Sequence, residues 1–101
     1  MTWIETINIR LSKQEDTSEF LNIFREMKVA QDNTLDNKIS IKLYQNKNIE
    51  NDWAICLCHK SPEEQANKPG LGYVIIEAIR PFGLLNHSIW ENKGDSPYEN
   101  K

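Results

Sequence analysis

A chain of 101 residues with a hydrophobic fraction of 39% and a charged fraction of 27% has room for one globular domain with one core. Its formal net charge of -3 and pI near 5.3 give no general electrostatic reason to bind nucleic acid or anionic lipid, which both need a basic face, so neither is expected as a partner. No apolar run approaches the roughly 20 residues of a membrane span, and the segment Met1 to Glu5 lacks the basic region and apolar core of a signal peptide, so a cytoplasmic location is expected.

Trp3 to Leu11 alternates, with Ile7, Ile9 and Leu11 on one face and Thr6, Asn8 and Arg10 on the other, the period of a half-buried strand. Ser12 to Glu15 is a polar connection, and Asp16 followed by Glu19 signals a helix start. Phe20, Ile23, Phe24 and Met27 then recur at helical spacing, opposite Asn22, Arg25 and Glu26, which predicts an amphipathic helix. Gln31 to Asn37 is dense in turn formers and reads as a loop. Ile39, Ile41 and Leu43 alternate with Ser40 and Lys42 in a second strand, whose lysines suit a sheet edge. A short connection, Asn46 to Asn51, leads into a third strand, Trp53 to His59, with apolar residues on both faces: Trp53, Ile55 and Leu57 on one, Ala54, Cys56 and Cys58 on the other. Such a strand is expected at the centre of a sheet covered on both sides.

Ser61, Pro62 and Glu64 form a helix-start box, Lys68-Pro69-Gly70 interrupts the helix, and Leu71, Val74, Ile75, Ala78 and Ile79 restart its period up to Phe82-Gly83. Leu84 to Trp90 is the last strand, and Asn92 to Lys101 is a polar tail expected to be disordered, leaving residues 1–91 as the single domain. Cys56 and Cys58 stand about 7 Å apart along an extended strand, too far for an easy disulfide, and are expected as free thiols serving as small core residues. Two thiolates without a third ligand do not complete a tetrahedral metal site, and the Gly70-Leu71-Gly72 run does not extend to a phosphate-binding pattern.

The element order is β-α-β-β-α-β, the pattern of a ferredoxin-like α+β fold with one four-stranded antiparallel sheet. Two helices cover one face of such a sheet, and a second copy of the chain is the economical cover for the other, so a homodimer is expected. Candidate site residues are Asn8, Arg10, His59 and His87. Each also has a structural reading: Asn8 and Arg10 as polar contacts of a sheet face or dimer seam, His59 as a capping or surface residue, and His87 as a hydrogen-bonded structural histidine.

The Ser-started helix after a Trp-containing strand, the Gly-bearing amphipathic helix, Phe82-Gly83 and the strand ending His87-Ser88-Ile89-Trp90 resemble the antibiotic biosynthesis monooxygenase-like family of dimeric α/β barrels. That resemblance implies a pocket beside the sheet and an activity such as cofactor-free oxygenation of quinol-like or anthrone-like aromatics, or oxidative haem breakdown. Asn8 matches an asparagine that the haem-degrading branch carries on its first strand. The chain departs from that branch by having His59 where a Trp is found, and by lacking histidine between Ser61 and Gly83, so neither haem nor any other cofactor is expected. On the enzymatic reading Asn8 orients a small hydrophobic aromatic ligand or oxygen, Arg10 stabilises a phenolate, and His59 or His87 moves a proton. The alternatives are a binding module for a small apolar molecule and a structural dimer.

Overall fold

A computed structural model describes residues 3–33, 39–60 and 70–93. The elements follow the expected order: β1 (Trp3–Leu11), α1 (Thr17–Asp32), β2 (Ile39–Gln45), β3 (Asp52–His59), α2 (Leu71–Ile79) and β4 (Gly83–Glu91). All strand pairs are antiparallel and the sheet order is β2-β3-β1-β4, so the two middle strands are those with the longest apolar faces. This is the ferredoxin-like α+β arrangement. The expected helix start at Ser61, the Lys68-Pro69 interruption, the loop residues 34–37 and the tail from Gly94 onward lie outside the described residues.

Strand parity decides which side chains meet the helices. Trp3, Glu5, Ile7, Ile9 and Leu11 of β1 and Trp53, Ile55, Leu57 and His59 of β3 are all buried, whereas Asn8 and Arg10 of β1 are exposed. Helix α1 contributes Phe20 and Phe24 to the same core, and α2 contributes Ile75, Ile76 and Ile79. The opposite face of the sheet carries Ile4, Ala54, Cys56, Cys58 and Trp90, and no described element covers it. Cys56 and Cys58 are free thiols, as expected, but they stand half-buried on this open face and not in the core.

Two local features differ from the sequence reading. Asp16 occupies the position before α1 without making a side-chain cap; a single 3-10 turn, Gln14–Asp16, leads into the helix, and the Thr17 hydroxyl donates to the Gln14 carbonyl at 2.7 Å. The helix also runs through Gln31 and Asp32, assigned above to a loop. An i,i+4 pair between Lys28 and Asp32 at 3.3 Å and the Asn33 amide donating to the Val29 carbonyl carry the helical ladder past the turn formers.

After α2 another 3-10 turn, Arg80–Phe82, delivers the chain directly into β4. Gly83 lies opposite Leu11, and a Cβ there would run into the carbonyl oxygen of Arg10. The absent side chain is what lets the two backbones close up at this end of the sheet. Next to it the Ser12 amide donates to the Phe82 carbonyl at 2.8 Å.

Candidate functional site

The helix-facing side of β1 is apolar from Ile7 to Leu11, but its other end holds a carboxylate. Glu5 is 8% exposed, and the register explains what surrounds it. Trp3, two residues before Glu5, pairs with His59 of β3; Ile7, two residues after it, pairs with His87 of β4. Each histidine is therefore a diagonal neighbour of Glu5 on the same face, a separation that long side chains span. His59 Nε2 lies 2.7 Å from Glu5 Oε1, and His87 Nε2 lies 2.8 Å from Glu5 Oε2, so each carboxylate oxygen has one imidazole.

The cluster is enclosed unevenly. The indole of Trp3 stacks on the His59 ring with centroids 3.7 Å apart and an interplanar angle of 3°, and His59 is buried. This corrects the expectation of a capping or surface residue at position 59: its strand parity is that of the core, and stacking fixes the ring there. From the helix side, Gly72 in the first turn of α2 comes so close that a Cβ would overlap Glu5 Oε2. The positive end of a helix dipole favours a nearby anion, which adds to the two imidazoles as a counterpart for the carboxylate. His87 differs from the other two members, since its side chain retains 31% exposure against 10% for Glu5 and 7% for His59.

Asn8 and Arg10 are not part of this cluster. They project from the opposite face of the sheet, where Arg10 pairs with Asp52 at 3.5 Å. There Asn8, Arg10, Asp52, Leu84 and Asn86 border an open recess of about 250 Å³. On the same face the Trp90 indole donates to the Thr6 hydroxyl at 3.2 Å. The thiols of Cys56 and Cys58 approach to 4.0 Å, and burial together with the neighbouring Cys58 pushes the Cys56 thiol up from its ordinary range, partly opposed by Lys42. The four residues singled out from sequence thus divide into two pairs on the two sides of one sheet. A single ligand cannot touch all four.

Glu5 was missed by the sequence reading although its signal was present. It occupies a core parity position on a strand whose other inward residues are Trp, Ile and Leu, where a charged side chain needs partners. Among the described residues no group of three His, Cys, Asp or Glu side chains is placed to hold a metal ion, and no helix is long and apolar enough to cross a membrane.

No family model matches the sequence, and no curated protein is similar to it. Solved structures do match. The cofactor-independent oxygenase SnoaB from Streptomyces nogalater, in the form of a point mutant, aligns with a TM-score of 0.70 at 10% identity, covering 95% of this chain and 97% of its own. A protein from Nitrosomonas europaea provisionally assigned as an antibiotic biosynthesis monooxygenase gives 0.70 at 10% identity, covering 94% and 93%. A de novo designed protein, Foldit4, gives 0.67 at 13% identity, covering 92% and 100%, so this architecture can be specified without any natural activity. What these likenesses establish is architecture: the chain has the fold of the antibiotic biosynthesis monooxygenase-like proteins.

Proposed function

We propose that this protein is a monooxygenase-like enzyme that oxidises a small aromatic or quinol-like compound without a bound cofactor, working as a homodimer. The observation that carries the reading is the buried Glu5 carboxylate held between two imidazoles. A packed apolar core is often as stable as, or more stable than, a buried ionic cluster of the same volume, so stability alone is a weak reason for such a cluster in a domain this small. As chemistry it has an evident use. Oxygenation without a cofactor draws its electrons from the substrate, and removing a proton makes an electron-rich anion that O2 can oxidise. For an anthrone-like methylene the balance is one substrate and one O2 giving the carbonyl compound and one water, with the substrate as the sole reductant.

In the same proposal the open face of the sheet is the dimer seam. Ile4, Ala54, Cys56, Cys58 and Trp90 supply an apolar surface there, and Asn8 and Arg10 become seam residues or line the recess beside it. Two free thiols fit a cytoplasmic setting.

Oxygen uptake with a panel of quinols and anthrones tests the reading. Wild type is expected to consume O2 in step with substrate loss, and His87→Gln to lower the rate about 100-fold, the usual scale of a lost general base. Saturable binding of the same compounds with no oxygen uptake would make the protein a binding module instead.

A further inference from the structure

We infer that Glu5 locks the His87 ring with its proton on Nε2, so that Nδ1 of His87 is the base offered to substrate, and that the substrate is an acidic hydroxyl compound of the phenol class. The inference rests on the enzymatic reading only for its connection to oxygen. Its basis is the hydrogen-bond arithmetic of the cluster. An ionised carboxylate accepts and cannot donate, so with Glu5 ionised the two imidazole nitrogens at 2.7 and 2.8 Å from its two oxygens both carry hydrogen. A neutral imidazole with hydrogen on Nε2 has its lone pair on Nδ1, and a carboxylate that fixes the tautomer also stabilises the imidazolium formed when Nδ1 takes a proton.

The two histidines do not share this role. His59 lies under Trp3 with 7% of its side chain exposed, which leaves little of its ring to a ligand, whereas His87 stands on an edge strand with 31% exposed. His59 is therefore a positioning residue: by occupying Oε1 it leaves Oε2 to His87. In the proton transfer the substrate O–H bond breaks, its proton goes to His87 Nδ1, and its electron pair stays on the phenolate oxygen. The new imidazolium keeps its Nε2–H on Glu5, so the pair Glu5 and His87 becomes neutral as the substrate becomes an anion.

The test uses the full chain and, as the probe, a nitrophenol whose own pKa lies above the working pH, so that the free probe is neutral and a coloured phenolate reports ionisation by the protein without turnover. Proton–nitrogen correlation NMR of the wild type is expected to show hydrogen on Nε2 of both histidines, and nitrophenol to bind as the phenolate while the His87 ring becomes doubly protonated. His87→Gln should give no phenolate band. His59→Gln, which retains an N–H donor for Oε1, should keep the band, and His59→Phe, which removes that donor, should lose it. Hydrogen on Nδ1 of His87 in the wild type overturns the inference, as does a phenolate band that survives in His87→Gln or never forms in the wild type. Phenolate formation with no oxygen uptake from any quinol would instead remove the oxygenase reading and leave the proton assignment standing.

Discussion

A carboxylate at Glu5 is tolerated because each oxygen meets a nitrogen, and removing one member should be worse than removing all three. Glu5→Leu leaves the Nε2–H of His59 buried with no acceptor, at a cost of about 1–3 kcal/mol. Exchanging the whole cluster for apolar residues, Glu5→Leu with His59→Phe and His87→Leu, removes every unpaired group and should recover that loss, since buried ionic groups replaced together by well-packed apolar ones are often neutral or stabilising. Urea denaturation of the single and triple variants checks this. A triple variant less stable than Glu5→Leu would mean that the cluster is there to hold the fold. Gly72 belongs to the same scale. An alanine in the first turn of α2 gains up to about 1 kcal/mol in helix propensity, but its Cβ displaces a carboxylate pinned by two histidines, and such overpacking costs about 1–3 kcal/mol. Gly72→Ala should therefore be a net loss in a denaturant melt, and the hydrogen-bonded Nε2–H signal of His87 should disappear with it.

Between elements, the close approach that excludes a side chain is the one between β1 and β4 at Gly83. The obstacle to a side chain there is the backbone carbonyl of Arg10, which cannot rotate away as a side chain could. Gly83→Ala should part the strands at that end, break the bond from the Ser12 amide to the Phe82 carbonyl, and speed hydrogen exchange at Ser12, while the Leu11 amide, which donates to the Asn51 carbonyl on the other side of β1, and β3 stay protected. Unchanged exchange at Ser12 would show that the strands tolerate the extra atom by shifting together. At this scale most of the fold was legible. The alternation in β1 and the helical spacing of Phe20, Phe24, Ile75 and Ile79 each point to one element and one apolar face, whereas β3, apolar on both faces, is legible as a strand but not as to which face meets the helices. Helix ends were less legible, because Gln31 and Asp32 open a segment dense in turn formers, yet the backbone ladder of α1 runs through them and Asp32 pairs with Lys28. The site was half legible. His59 and His87 could be named, but their convergence on Glu5 depends on a register across two strand pairs separated by 54 and 82 residues along the chain, which no local pattern encodes.

For the whole molecule the decisive dimension is the shortest. The shortest principal extent is 20 Å, about one sheet layer and one helix layer at roughly 10 Å each, and among the described residues both helices pack on the same face of the sheet. A second copy set sheet to sheet would cover Ile4, Cys56, Cys58 and Trp90, and a stable contact of this kind hides about 800 Å² on each partner. The thiols of the open face report on that cover. Burial and Cys58 raise the Cys56 thiol above its ordinary range, so at neutral pH its reactive thiolate is scarce in any state of assembly, and labelling should speed up as pH rises. Assembly adds a separate dependence on concentration. If the sheet faces form the seam, labelling of Cys56 and Cys58 should be slow in concentrated protein and accelerate on dilution below the dimer's Kd, at the concentration where sedimentation shows monomer appearing. Trp90→Asp, which places a charge in the seam while leaving the buried core untouched, should give fast labelling at every concentration. A labelling rate independent of dilution in a protein that sediments as a dimer would move the seam to another surface and leave the open face, with Asn8 and Arg10 on it, free for a ligand.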